Sequence, residues 1–137
     1  MSYDLMVFDP SAPPRDRTGF ITWYEDQMRW SEVQGYNNPE ITTPGLQLWF
    51  LDMIQEFPSL DGPADDKVDH PRLTGYSFGQ SIIYADFSWS EAIHARRTVF
   101  NLAKKHNVGF FDVSGEDGQV WIPGPNGDYQ CVHTSTV

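Results

Sequence analysis

The chain is short of the features that announce a function most directly. It holds one cysteine and nine lysine and arginine residues against nineteen aspartate and glutamate. No apolar run approaches the roughly 20 residues of a membrane-spanning helix. A lone Cys131 excludes an internal disulfide and leaves no thiol at zinc-site or redox spacing, which points to a reducing cytosol. The formal charge of -10 argues against nucleic acid as a direct partner, because binding a phosphate backbone needs clustered Lys and Arg. The same field attracts a basic protein or a cation, although solubility alone is the plainer account of it. Met1 to Val7 lack a basic start leading into a long apolar stretch, so the expectation is a chain neither secreted nor embedded in a membrane. There is no Gly-x-Ser-x-Gly nucleophile elbow, no zinc spacing and no phosphate-cradling loop, and no cofactor is called for.

What the chain does have is aromatic bulk and clear periodicity. Its 137 residues include five Trp, six Tyr and nine Phe, enough to offset ordering entropy in one domain spanning residues 1–137. Tyr3 to Asp9 alternates as a strand does, and Pro10 ends it. Ser11, Pro13 and Pro14 signal entry to a helix running from about Pro14 to Val33. Phe20, Tyr24 and Met28 recur on that helix, Ile21, Trp23 and Trp30 widen its stripe, and Gly35, Asn37, Asn38 and Pro39 stop it. Thr43 and Pro44 open a second helix, whose Leu46, Trp49, Phe50, Met53, Ile54 and Phe57 follow three-and-four spacing until Pro58. Residues 59–72, with Gly62, Pro63, Pro71 and four aspartates, read as an exposed loop.

Leu73 to Phe78 and Ser81 to Phe87 read as two strands around Gly79 and Gln80, a pair suited to a type II′ turn. Ser88, Trp89, Ser90 and Glu91 have the form of a capping box, and Ala92, Ala95, Val99, Leu102 and Ala103 give the buried stripe of the helix it opens. Lys104, Lys105 and His106 oppose the dipole in the last turn, with Asn107 placed for a left-handed cap. Val108 to Ser114 is a strand, Gly115 to Gly118 a turn, and Gln119 to Ile122 the antiparallel return. Beyond Pro123 and the breakers Gly124 to Gly127, Asp128 to Val137 is a flexible tail or a short added strand.

The order is β, α, an extra α, β, β, α, β and a terminal hairpin strand. Without the extra helix this is the α+β, ferredoxin-like βαββαβ plait. In the Tyr-Asp-Leu-Met-Val-Phe opening and the Asn-Val-Gly-Phe-Phe-Asp-Val-Ser strand the chain resembles small bacterial cytosolic proteins of this split βαβ pattern. That resemblance implies a fold and no activity.

Alternation then assigns faces. Leu5, Val7, Ile83, Ala85, Phe87, Phe111 and Val113 are expected beneath the two crossover helices, and Asp4, Met6, Phe8, Ile82, Tyr84, Asp86, Phe110 and Asp112 on the opposite face. That second face either carries a binding surface or is covered by the extra helix from Pro44 to Phe57, with Trp49, Phe50, Met53 and Phe57 pressed into it. The candidate binding residues are Tyr84, Asp86, Asp112, Trp49 and Trp121, the last on an expected edge strand where interfaces place aromatic anchors. Asp86 and Asp112 form an acid–base pair only if they are adjacent. Ser88 or Ser90 with His94 is a weaker nucleophile pairing, since the capping box already accounts for both serines. Asp61, Asp65, Asp66, Asp69 and His70 are dense in oxygen ligands but lack EF-hand spacing, so no metal is assigned.

The function expected from these features is an acidic, cytoplasmic protein-binding or regulatory module, in its concrete form an immunity-type protein neutralising a basic toxin enzyme. The alternative is a small-ligand protein or enzyme with a cleft between the sheet and the inserted helix. Self-association through Gln119 to Ile122 is compatible with either.

Overall fold

Apolar side chains on both faces of the central strands demand cover on both sides of the sheet, and the described residues supply three helices to provide it. The computed structural model describes residues 2–33, 41–59 and 72–134. In chain order these hold β1 (Tyr3–Phe8), α1 (Arg17–Val33), α2 (Pro44–Glu56), β2 (Gly75–Phe78), β3 (Ile82–Phe87), α3 (Ala92–Lys105), β4 (Gly109–Phe111), β5 (Val120–Pro123) and β6 (Tyr129–His133). The strands form one antiparallel sheet in the order β2-β3-β1-β4-β5-β6, and the fold is α+β.

Leu5, Val7, Tyr76, Phe78, Ile83, Ala85, Phe87 and Phe110 make one buried row. Against it pack Leu46, Trp49 and Met53 of α2, Phe57 just beyond it, and Ala95, Val99 and Ala103 of α3. Met6, Phe8, Ile82, Phe111, Val120 and Ile122 make the other row, closed by Phe20 of α1 with Ile21, Trp23, Tyr24 and Met28 around it. The result is three layers: α1, the sheet, then α2 with α3. The α1 layer docks through aromatic edges, Phe20 lying 5.4 Å from Phe8 and 5.1 Å from Phe111 between ring centroids.

Three expectations about faces are corrected here. The helix from Pro44 does not cover the row containing Met6 and Tyr84; it shares the opposite face with α3, and α1 takes the row assigned to it. The β4 row is also reversed. Val7 lies opposite Phe110 and Met6 opposite Phe111, so Phe110 joins the α2/α3 face and Phe111 the α1 face. A shift of one residue exchanges the faces of a strand, and Gly109 fixes this register. It sits directly opposite Phe8, where a β-carbon would stand 2.3 Å from the ring. Thirdly, β5 is internal, because residues 129–133 form the added strand β6 outside it. That strand takes the edge, with a register irregularity between Val120 and Trp121 that interrupts its ladder.

Several chain ends also differ in detail. α1 begins at Arg17 because Asp16 caps it, accepting a 2.8 Å bond from the Gly19 amide. Ser11 instead donates from its hydroxyl to Asp9, 2.8 Å away. Ser88 makes no side-chain cap; a single 3-10 turn, Trp89–Glu91, leads into α3, and Glu91 accepts from Arg72 at 2.7 Å. The β2–β3 hairpin closes with Gly79 N–H donating to Ile82 C=O at 2.9 Å, which makes Gln80 and Ser81 the loop. Among the described glycines only Gly118 and Gly127 have positive φ, so the turn is not type II′.

Other ends follow the sequence. α2 starts at Pro44 after Thr43, and α3 ends with Asn107 at φ 56°. The Val108 amide there donates to Ala103 C=O at 3.0 Å, as in a Schellman cap. The stop signal at residues 35–39 and the acidic loop at 60–71 lie outside the described residues.

Candidate functional site

The candidate residues separate onto different surfaces. Trp49 is fully buried between α2 and the sheet, its indole N–H 3.4 Å from Val99 C=O. It is a core residue, and Leu46, Met53 and Phe57 fill the space beside it where a cleft under α2 would lie. Asp112 and Asp86 lie on opposite faces: Asp112 faces α3, whereas Asp86 is opposite Asp4 on the α1 side. They cannot share a proton, and the acid–base pair is withdrawn.

Asp112 sits just past β4 and is only 6% exposed. It accepts from the Tyr3 hydroxyl at 3.0 Å and from Arg96 Nε at 2.9 Å. Arg96 continues to Gln119 Oε1 at 3.1 Å, which also accepts the Trp121 indole N–H at 3.1 Å. The Arg96 guanidinium lies over the Phe110 ring, 5.6 Å from its centroid. Burial, then the negative charge of Asp112, pushes the Tyr3 hydroxyl up to about 12. This network links β1, β4, β5 and α3, and it engages both oxygens of Asp112. Trp121 is half-buried, stacked on Tyr129 at 6.1 Å and set edge-on to Phe100 at 5.1 Å.

Tyr84 is half-buried on the other face, where its hydroxyl donates to Asp4. Burial first, then the bond to Asp4, raises its pKa. Ser2 Oγ donates to the other Asp4 oxygen at 2.5 Å, and the Asp4 amide donates to Ser114 Oγ at 2.8 Å. The hydroxyl network ties the start of β1 to β3 and to the residues after β4.

The two networks meet at one end of the sheet, where β1 begins and β3 and β4 end. Asp4, Asp86, Glu91, Asp112, Glu116 and Asp117 gather there. The arginines at this end are engaged: Arg96 with Asp112, Arg72 with Glu91 and Glu56, and Arg17 donating to Gly118 C=O at 2.7 Å. Ser59 and Thr74, which bracket the acidic residues 60–71, are bridged beside Gly75, itself opposite Asp86. Trp89 and Ile93 stand on the α3 side of this end, 49% and 80% exposed. Ile93 lies off the buried Ala95–Val99–Ala103 stripe, as its spacing in the sequence already shows.

His94 faces Glu56 at 3.4 Å and lies against the Phe57 ring, with no serine placed against it in these contacts. It lines an open groove of about 380 Å³ between α2 and α3 with Asp52, Gln55, Glu56, Thr98, Asn101 and Lys105. Asp52 is held there by His106 at 2.7 Å and Lys105 at 3.0 Å, and these bonds lower its carboxyl below the usual range. Among the described residues no group of three or more His, Cys, Asp or Glu is arranged to hold a metal, and no helix is long and apolar enough to cross a membrane. No family model, curated protein or solved structure matches the chain.

Proposed function

We propose that the chain is an acidic protein-binding module acting in the cytoplasm, in its concrete form an immunity-type protein that neutralises a basic toxin enzyme. The observation that carries this reading is the gathering of six carboxylates at one end of the sheet in a chain of net charge -10. Such a field accelerates encounter with a basic surface and disfavours acidic competitors. The same reading takes the sheet and its α2/α3 layer as a ferredoxin-like plait. The order β2-β3-β1-β4 supports that, with α1 as the added helix and β5–β6 extending the sheet. The cleft-enzyme alternative loses its warrant, because Trp49 is core and Asp86 and Asp112 are on opposite faces.

Native capture on the immobilised protein, at about 0.05 M and about 0.5 M salt, tests the proposal. A basic protein held at the lower salt and weakened at the higher is the expected result. Recovery of no stable partner at either salt overturns it.

A further inference from the structure

We infer that Asn126 is a site of spontaneous deamidation, that the hydrogen bond closing its turn sets the rate, and that the isoaspartate formed there loosens the edge strand β6. The site is the tip of the β5–β6 hairpin, and its chemistry does not depend on the binding-module reading.

Deamidation needs an asparagine followed by a residue that does not crowd its side chain. The backbone nitrogen of that next residue, having given its proton to base, attacks the asparagine Cγ. The new C–N bond closes a succinimide ring, and ammonia leaves. Water then opens the ring at either carbonyl, giving aspartate or isoaspartate, in which the main chain runs through the side-chain carbon. Base and water are the only co-reactants.

Asn126 and Gly127 meet these needs. Both are exposed, and a β-carbon at Gly127 would meet nothing within 4 Å. The other described asparagines do not meet them. Asn101 is followed by Leu102 within α3, and Asn107 by the buried, β-branched Val108, whose amide donates to Ala103 C=O at 3.0 Å. One restraint remains at Asn126. The Gly127 amide, the attacking group, donates to Gly124 C=O at 3.1 Å across the turn, and an amide so engaged gives up its proton less readily. Attack therefore waits for the turn to open, a local event at an exposed hairpin tip that leaves the core closed.

The two products act differently on the fold. Aspartate keeps the backbone and adds one negative charge to a chain of formal charge -10. Isoaspartate also inserts a carbon into the main chain of the turn, where loop length fixes the register of the strands. That turn sets Pro123 opposite Tyr129, with the Gly124 amide donating to Asp128 C=O at 2.5 Å. Tyr129 stacks on Trp121 and donates to Val108 C=O at 2.7 Å, so displacing the turn withdraws the ring that holds β6 in place.

The test follows the full chain at mildly alkaline pH, folded and fully unfolded in urea, by peptide mass mapping for amide-to-acid conversion and by isoaspartyl methyltransferase labelling. Expected in the folded chain is conversion in the peptide bearing Asn126 and not in those bearing Asn101 or Asn107. It should run about two- to tenfold slower than at the same site unfolded, the protection that one backbone hydrogen bond confers. Asn126→Gln should abolish it. Conversion of Asn101 or Asn107 as fast as Asn126 in the folded chain, or none at Asn126 while the unfolded chain converts, overturns the site. Equal rates folded and unfolded overturn control by the turn bond. The isoaspartate form, separated chromatographically, should exchange its β6 amide hydrogens several-fold faster than Asn126→Asp, and equal exchange in the two overturns the loosening.

Discussion

Replacing Tyr3 with Phe removes one hydroxyl and should change stability twice, once at neutral pH and once in alkali. At neutral pH the variant loses the 3.0 Å bond to Asp112 from a residue only 7% exposed. Hydrogen bonds to charged groups contribute about 1.5–3 kcal/mol. Asp112 retains Arg96 at 2.9 Å, so the lower half of that range applies and the loss should be about 1.5–2 kcal/mol. The ring and its contact with Trp89 remain.

In alkali the wild type loses this advantage. The Tyr3 hydroxyl is raised from 10.0 to about 12 in the folded chain. A raised value means that the folded state holds the proton more tightly, so the contribution is whole below pH 10 and is lost as pH climbs toward 12. Two units correspond to about 3 kcal/mol. Tyr76, Tyr84 and Tyr129 are raised as well, but identically in both proteins, so the difference isolates Tyr3. Urea midpoints with m-values, taken at steps from neutral pH to pH 12, read it directly. The wild type should start more stable and lose more, and the two curves should converge by the upper limit. Parallel curves from pH 10 to pH 12 would refute the claim that Tyr3 is buried against Asp112.

Phe20→Ala should cost about 3–5 kcal/mol by urea unfolding, because Phe20 is the fully buried contact of α1 with Phe8 and Phe111, and Ile21→Ala on its margin should cost distinctly less. Gly109→Ala should destabilise by about 1–3 kcal/mol, read as a lowered thermal midpoint, since the new methyl meets the Phe8 ring that Phe20 and Trp23 hold in place. Asp52→Asn should lose less than about 1 kcal/mol near pH 6. That loss should shrink as pH falls below the ordinary carboxylate range, because a depressed carboxyl contributes above its unfolded value and loses the contribution as pH falls through its folded one.

Boundaries marked by proline or by special dihedrals were legible in the sequence. α2 runs between Pro44 and Pro58, Asn107 adopts the left-handed cap, and Gly118 takes positive φ at the end of the turn from Gly115. What resisted reading was the assignment of faces. The helices α1 and α2 each offer an apolar stripe, and both fall between β1 and β2, so periodicity alone gives either one the α3 side. What separates them is shape: the aromatic edges of Phe20 and Tyr24 fit Phe111, whereas Trp49 and Phe50 fit Tyr76 and Phe78 on the far side.

The β4 row failed for a different reason, and that failure decided the site. A strand buried on both faces has no polar row to mark its phase, and β4 is buried throughout, with Phe110 and Phe111 equally apolar. Reading its phase one residue out placed Asp112 beside Tyr84 and Asp86 on an open surface. With Phe110 opposite Val7, the carboxylate turns instead toward Arg96 and Tyr3, where it supports Trp89 from beneath. Asp112 is thus held inside the fold between Tyr3 and Arg96. Asp112→Asn keeps the side chain's size and one acceptor oxygen, so it holds only one of the bonds from Tyr3 and Arg96, and it removes the charge that opposes ionisation of Tyr3. The Tyr3 hydroxyl should therefore titrate lower by difference absorbance in alkali. An unchanged alkaline titration would refute the placement of the Asp112 charge against Tyr3.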